Sequence, residues 1–212
     1  LGILMKVLFD GVKEFSTKDF ENNKELFNKL KDSQFPHTLF LGCSDSRVVP
    51  VMITKSNPGD LFVIRNVANI VPFYRLSAEY LATTSAIEYA VVVLNVQTII
   101  ICGHSNCGGC RALFMEEKQL EAIPNTKKWL ELAQTAKVRA IEIKSEVGNE
   151  EDIYSILEKA NIVEQLNHLM TYPFIKKKQA SGELTILGWY YDIGNGKVYN
   201  YNFIDKTFDI IE

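Results

Sequence analysis

Three short runs, Thr38-Leu39-Phe40-Leu41-Gly42-Cys43, Leu61-Phe62-Val63-Ile64-Arg65 and Thr98-Ile99-Ile100-Ile101-Cys102-Gly103, are apolar almost throughout and never settle into polar alternation. A strand with one wet face alternates, whereas a strand without alternation must be covered on both faces, the usual condition inside a parallel sheet. Breakers bound the runs: Pro36 lies just before the first, and Pro58-Gly59-Asp60 is a turn signal before the second. The segments between and after them have helical composition. Glu14–Lys31 places Phe15, Phe20, Leu26, Phe27 and Leu30 on one side, and Asp32 to Pro36 ends it. Ser77–Asn95 carries a face of Ile87, Ala90, Val91 and Leu94. Residues after Cys107 up to Lys118, then Trp129–Ser145 and Asp152–Thr171, are read as further helices, with Pro173 stopping the last. Thr185–Ile193, a Gly194-Asn195-Gly196 turn and Lys197–Phe203 form a β-hairpin. The expected fold is therefore α/β, a mainly parallel central sheet flanked by helices with an antiparallel edge from the C-terminal hairpin.

A chain of 212 residues suits one domain with a real core, burying on the order of 70% of its extended surface. No repeat, low-complexity tract or long Gly/Ser/Pro linker divides it, so residues 5–212 are taken as a single domain. Met5-Lys6 resembles a natural start, with residues 1–4 a cloning remnant. The formal charge of −3 gives no reason to expect nucleic acid or an anionic membrane as partner. The longest apolar stretch is interrupted by Asn95, Gln97 and Thr98, short of the ~20 residues a membrane span needs. With no basic leader or cleavage site at the start, the default location is the cytoplasm.

Chemistry concentrates in two segments that each follow a predicted strand: Cys43-Ser44-Asp45-Ser46-Arg47 and His104-Ser105-Asn106-Cys107-Gly108-Gly109-Cys110. In open parallel sheets ligands bind beyond the carboxyl ends of the strands, so both segments belong on one rim. Thiolate and imidazole are ligands zinc prefers, and a catalytic zinc keeps three protein ligands and one open position. Cys43, His104 and Cys107 could supply that trio; the bland alternative is two thiols and an imidazole on unrelated polar loops. Cys102 falls within the strand and is expected to pack as a small hydrophobe, with His104 just past the strand end. Asp45 and Arg47, on the same side of an extended segment, can form a bidentate pair, and Asp45 could also swing in as a fourth ligand that closes the site. Gly108-Gly109 at a helix start lets backbone N–H groups approach a ligand. Cys107 to Cys110 also has the C-x-x-C form of a dithiol redox motif, a reading that leaves Cys43, Asp45 and His104 without work. A non-enzymatic zinc module would need Cys110 or Asp45 as a permanent ligand. His37, His168 and the Lys176-Lys177-Lys178 run lie outside these segments and have surface or structural readings.

These motifs, with Gln34-Phe35-Pro36, Val63-Ile64-Arg65-Asn66-Val67-Ala68-Asn69, Ser85-Ala86-Ile87-Glu88-Tyr89-Ala90 and Gly188-Trp189, resemble the β-class carbonic anhydrases over nearly the whole chain. The resemblance implies one Zn2+ per chain on Cys43, His104 and Cys107, with Asp45 only in a closed state and Cys110 not a ligand. It implies reversible hydration of carbon dioxide to bicarbonate and a proton by zinc-bound hydroxide, oriented by an Asp45–Arg47 dyad. The chemistry agrees, because zinc lowers the pKa of its water from 15.7 to about 7. It further implies Phe62, Val67 and Tyr89 as the apolar substrate wall, and the Gln34 amide and Gly108 N–H as donors. On sequence alone Phe62, Val67 and Tyr89 would be assigned to the core. The family also implies a homodimer or tetramer with the site at the subunit interface, which would occupy the apolar N-terminal helix. Members that hold a regulatory bicarbonate have Trp where this chain has Phe40, so although Arg65 is present the constitutively open type is expected. A zinc hydrolase acting on carbon disulfide or carbonyl sulfide would use the same ligands.

Overall fold

A computed structural model describes residues 2–76, 81–148 and 151–212. Six strands form one sheet: β1 (Thr38–Cys43), β2 (Leu61–Asn66), β3 (Thr98–His104), β4 (Thr185–Asp192), β5 (Lys197–Tyr201) and β6 (Phe208–Ile210). Their order is β2-β1-β3-β4-β5-β6. The first four strands are parallel, and β5 and β6 add antiparallel to the edge. The three apolar runs are three strands as expected, and the hairpin is β4–β5; β1 and β3 are covered on both faces, whereas β2, at the sheet edge, leaves Val63 and Arg65 exposed. The short β6 lies beyond the predicted hairpin.

The chain leaves β1 for β2 on one side and returns to place β3 on the other, so strand order reverses between β1 and β3. In α/β sheets such a reversal opens a crevice at the carboxyl ends, because the two connections depart in opposite directions. Cys43 ends β1 and His104 ends β3. His104 is thus the last strand residue and not the first beyond it, a difference of one residue that keeps it paired with Tyr191 of β4.

One face of the sheet, carrying Leu39, Leu41, Ile64, Ile99, Ile101 and Ile186, packs under helices to form the main core. The other holds a smaller cluster of Phe40, Ile100 and Cys102, edged by the half-buried Leu61, Leu187, Trp189 and Tyr191. Cys102 is fully buried there, as expected of a packing residue. The helix Ile153–Leu169 lies along β3 and β4. Its approach depends on Gly103, where a Cβ would sit 2.7 Å from Ile162.

Helical boundaries depart from expectation where local chemistry interrupts periodicity. The predicted helix Glu14–Lys31 extends back to Gly2 and runs in segments to Leu30, with Phe27 packed between Phe15 and Phe20. The predicted Ser77–Asn95 helix is Ala82–Glu88 followed by a π-turn, Tyr89–Val93; Ser77 to Tyr80 lie outside the described residues. The stretch after Cys107 divides into Gly108–Ala112 and Glu117–Glu121, and Trp129–Ser145 divides into Pro124–Leu130, a 3-10 turn and Gln134–Val147. Pro173 stops one helix and starts another, Pro173–Ala180, since its fixed φ suits a first helical turn. The Lys176–Lys178 run is therefore helical, and Lys178 donates to Val91 O and to Asn95.

Candidate metal centre

Cys43, His104 and Cys107 converge, with one ligand atom from each within 4.8 Å of the others. Each is buried. Cys107 joins because the chain turns at Asn106, whose φ of 56° lies in the left-handed region that Asn tolerates better than most residues. The turn leads into the helix Gly108–Ala112. Gly109 is required behind it, because a Cβ there would sit 2.9 Å from both Ala68 and Val67. Those two belong to a loop in which Ala68 and Asn69 both adopt positive φ. Asn66 fixes that loop by bridging the Ile70 N–H and carbonyl, and Asn161 holds the Ala68 carbonyl.

The donors fit a tetrahedral soft-metal site. Two sulfurs on one zinc, at about 2.3 Å each and near the tetrahedral angle, stand about 3.8 Å apart; the Cys43 and Cys107 Sγ atoms are 3.9 Å apart. His104 Nδ1 is 3.0 Å from the Ser105 carbonyl, an arrangement that puts the ring proton on Nδ1 and leaves the Nε2 lone pair for a ligand. Nε2 is buried and has no protein hydrogen-bond partner. The Cys43 thiol is pushed up to about 12 by its hydrogen bond to Cys107 and by burial. That of Cys107 is pushed up to about 12 as well, by its hydrogen bond to Cys110 and by burial. Such a pair ionises when a cation occupies the space between the sulfurs. Cys110 is buried behind the cluster and outside it, with the Asn161 amide 3.8 Å from its sulfur.

Asp45 stands at the mouth of the cluster, its Oδ2 3.9 Å from His104 Nε2. The Asp45–Arg47 segment is a turn, not the extended stretch expected, closed by the Val48 N–H on the Asp45 carbonyl. The turn makes the pairing tighter. Arg47 donates its backbone N–H and Nε to Oδ1 at 3.0 and 2.9 Å, and Nη2 to Oδ2 at 2.7 Å. These bonds hold the Asp45 carboxyl well below the usual carboxylate range. Arg47 is anchored in turn on the Asn106 carbonyl, at 3.1 Å. Arg65 reaches from β2 to the carbonyls of Cys43 and Asp45, at 2.9 and 2.6 Å, and so braces the loop from below.

The remaining candidate residues divide. Gly108 directly follows Cys107, and Val67 lies beside the next residue, where a Cβ on Gly109 would meet it. Gln34, Phe62 and Tyr89 lie elsewhere. Phe62 pairs with Leu39, four residues before the row in which Cys43 meets Asn66, or about 13 Å along the strand. Its ring lies 6.0 Å from that of Tyr89, and Tyr89 and Gln34 line one open cleft that includes none of the three metal-site residues. His168 is a buried structural residue, bonded to the Val71 carbonyl and Glu164, and His37 lies on the surface beside Thr38.

Sequence reasoning missed Glu158, Asn161 and Gln165, which with His168 form a polar stripe on the buried side of the helix Ile153–Leu169. Asn161, Gln165 and His168 hold the 67–71 loop, while Glu158 accepts from the Cys107 N–H. The visible signal was their three- and four-residue spacing on a helix whose other buried positions are apolar.

The carbonic anhydrase family model matches residues 38–198. A carbonic anhydrase of Helicobacter pylori strain J99 is 39% identical, the match covering 96% of this chain and 93% of that protein. One from Synechococcus elongatus is 35% identical over 92% of this chain and 70% of its own length. Among solved structures, the β-carbonic anhydrase CcaA superposes with a TM-score of 0.91 at 37% identity, covering 98% of this chain and 99% of that one. A tetrameric β-carbonic anhydrase from Sordaria macrospora gives 0.79 at 30% identity, with 93% and 96% covered. Strand order, the convergent Cys-His-Cys cluster and these matches over almost the full length agree: the chain belongs to the β-carbonic anhydrase family.

Proposed function

We propose that Cys43, His104 and Cys107 hold one catalytic zinc and that the residues around it hydrate carbon dioxide to bicarbonate. The observation that carries this reading is the buried, partnerless Nε2 of His104 facing two sulfurs 3.9 Å apart, with an ionised carboxylate at the mouth. When bound, zinc supplies a Lewis acid that lowers the pKa of a water from 15.7 to about 7, giving a nucleophile near neutral pH. Asp45, whose Oδ2 faces the same space as His104 Nε2, would accept a hydrogen bond from the attacking oxygen and so orient its lone pair towards the substrate carbon. Arg47 keeps Asp45 ionised and in one rotamer, and the same three-point grip holds its carboxylate back from a closed, ligating position. The Gly108 N–H and the Gln34 amide donate to the substrate oxygen on which charge develops. Val67, Phe62 and Tyr89 form an apolar wall suited to a linear, non-polar molecule. One water adds to one carbon dioxide, and the released proton passes to solvent and buffer.

Phe62 lies about 13 Å along the strand from its own chain's cluster, and Gln34 and Tyr89 line a cleft that includes no cluster residue, so the proposed site takes all three from a second copy. The helix Gly2–Glu14 supports the pairing. None of its residues is buried, while Ile3, Leu4, Val7, Leu8, Phe9 and Val12 are exposed, an apolar face of the kind that subunit interfaces cover. The proposed assembly is a dimer or a pair of dimers. Among the described residues no helix is long and apolar enough to cross a membrane.

Stopped-flow hydration of carbon dioxide with a pH indicator tests the reading, on protein as purified, chelator-stripped and restored with zinc. Activity is expected to fall to the uncatalysed background on stripping and to return with the metal. Protein that holds zinc yet shows no hydration between pH 6.5 and 9 would overturn it.

A further inference from the structure

The four polar residues on the buried side of the helix Ile153–Leu169 do not all serve one loop. Asn161, Gln165 and His168 reach the 67–71 segment, whereas Glu158 alone reaches the turn that presents a proposed metal ligand. Glu158 is 3% exposed. Its Oε1 accepts the Cys107 N–H at 2.9 Å and its Oε2 accepts the Tyr190 O–H at 3.1 Å. Tyr190 sits on β4 opposite Gly103 of β3, so the carboxyl is held between the ligand turn and the neighbouring strand.

This placement answers a specific local need. Cys107 is the N-cap of the helix Gly108–Ala112 and makes no side-chain cap, because its sulfur faces the cluster. Ser, Thr, Asp and Asn at an N-cap offer a side-chain oxygen to an orphan N–H, which cysteine does not. Here a carboxyl from another helix takes the N–H of the cap residue itself, and in doing so fixes the peptide from which the Sγ projects. A buried carboxyl is an expensive way to fill space that Leu would fill better, so its two directed bonds are its distinguishing contribution.

We propose that Glu158, itself held by Tyr190, is the positioning residue that sets Cys107 in its metal-binding geometry. The proposal rests on the reading of Cys43, His104 and Cys107 as a zinc site. Outer partners that orient a ligand change metal affinity by about ten- to a hundredfold when removed.

Zinc affinity, measured by competition against a chromophoric chelator with circular dichroism as a check on folding, provides the test. E158Q keeps an oxygen for the Cys107 N–H and is expected within about threefold of the unaltered protein, with E158L ten- to a hundredfold weaker. Y190F leaves the N–H bond but frees the carboxyl, and is expected between the two. Unchanged affinity in folded E158L, or E158Q as weak as E158L, would overturn the role. If E158L does not fold, Y190F decides, since affinity equal to that of the unaltered protein overturns the tether. No zinc uptake by the unaltered protein would overturn both this role and the metal-site reading beneath it.

Discussion

The carboxyl rim of the sheet and the cleft near the start of its strands hold the two halves of the proposed site, and they are built differently. At the rim, Asp45 is gripped by Arg47, Arg47 by Asn106, the 43–45 loop by Arg65 and the Cys107 turn by Glu158, all within one chain. At the cleft, Tyr89 is 44% exposed and Phe62 half-buried. The contrast teaches that groups bearing charge need preorganisation from their own chain, since each buried donor or acceptor must find a partner. An apolar wall needs only to be covered, and a second copy can do that.

The largest expected effect bears on the rim. Asp45→Asn retains the shape of the carboxyl and loses its charge, and is expected to lower kcat/KM by about 10²- to 10⁴-fold while zinc content, read by atomic absorption, stays at one per chain. An unaltered rate would remove Asp45 from the mechanism. Next comes the pH dependence of zinc affinity. With both thiols pushed up to about 12, binding below that pH must release a proton from each, so affinity rises with pH by up to about a hundredfold per unit. Chelator competition at several pH values reads the slope, and a flat profile would mean that the sulfurs are not the ligands.

Mixing tests whether the halves come from different chains. Asp45→Asn damages only the rim and Tyr89→Ala only the cleft. Unfolding and refolding the two variants together would then create hybrid dimers with one intact site each. About a quarter of the unaltered activity is expected from random pairing. Recovery of none, with dimers present by light scattering, would place both halves of each site in one chain. The smallest effect is Cys110→Ser, expected to leave zinc content within about twofold because Cys110 lies outside the cluster. A large loss would make it a ligand.

Much of this is legible in the sequence. The buried strands β1 and β3 follow from runs without alternation, since burial on both faces leaves no room for polar residues, whereas β2 reads the same in sequence but lies at the sheet edge with Val63 exposed. The Cys-His-Cys trio was legible because few residue types bind soft metals and the strand-end rule puts them on one rim. Asp45 with Arg47 was legible as a pair, but its turn was not, because a turn closed by Val48 N–H and an extended segment share the same two-residue separation. Glu158 escaped because a lone Glu in a helix is ordinarily solvated, and only packing shows which way it faces.

The sequence by itself determined the fold class and the donor atoms, as these depend on residue type and local spacing. The tertiary structure alone decided that Phe62 lies about 13 Å of strand away from the rim, that Gln34 and Tyr89 line a cleft apart from it, and that Glu158 lies beneath Cys107. These depend on strand register and on the approach of a helix over Gly103, which are set by packing between segments remote in the chain.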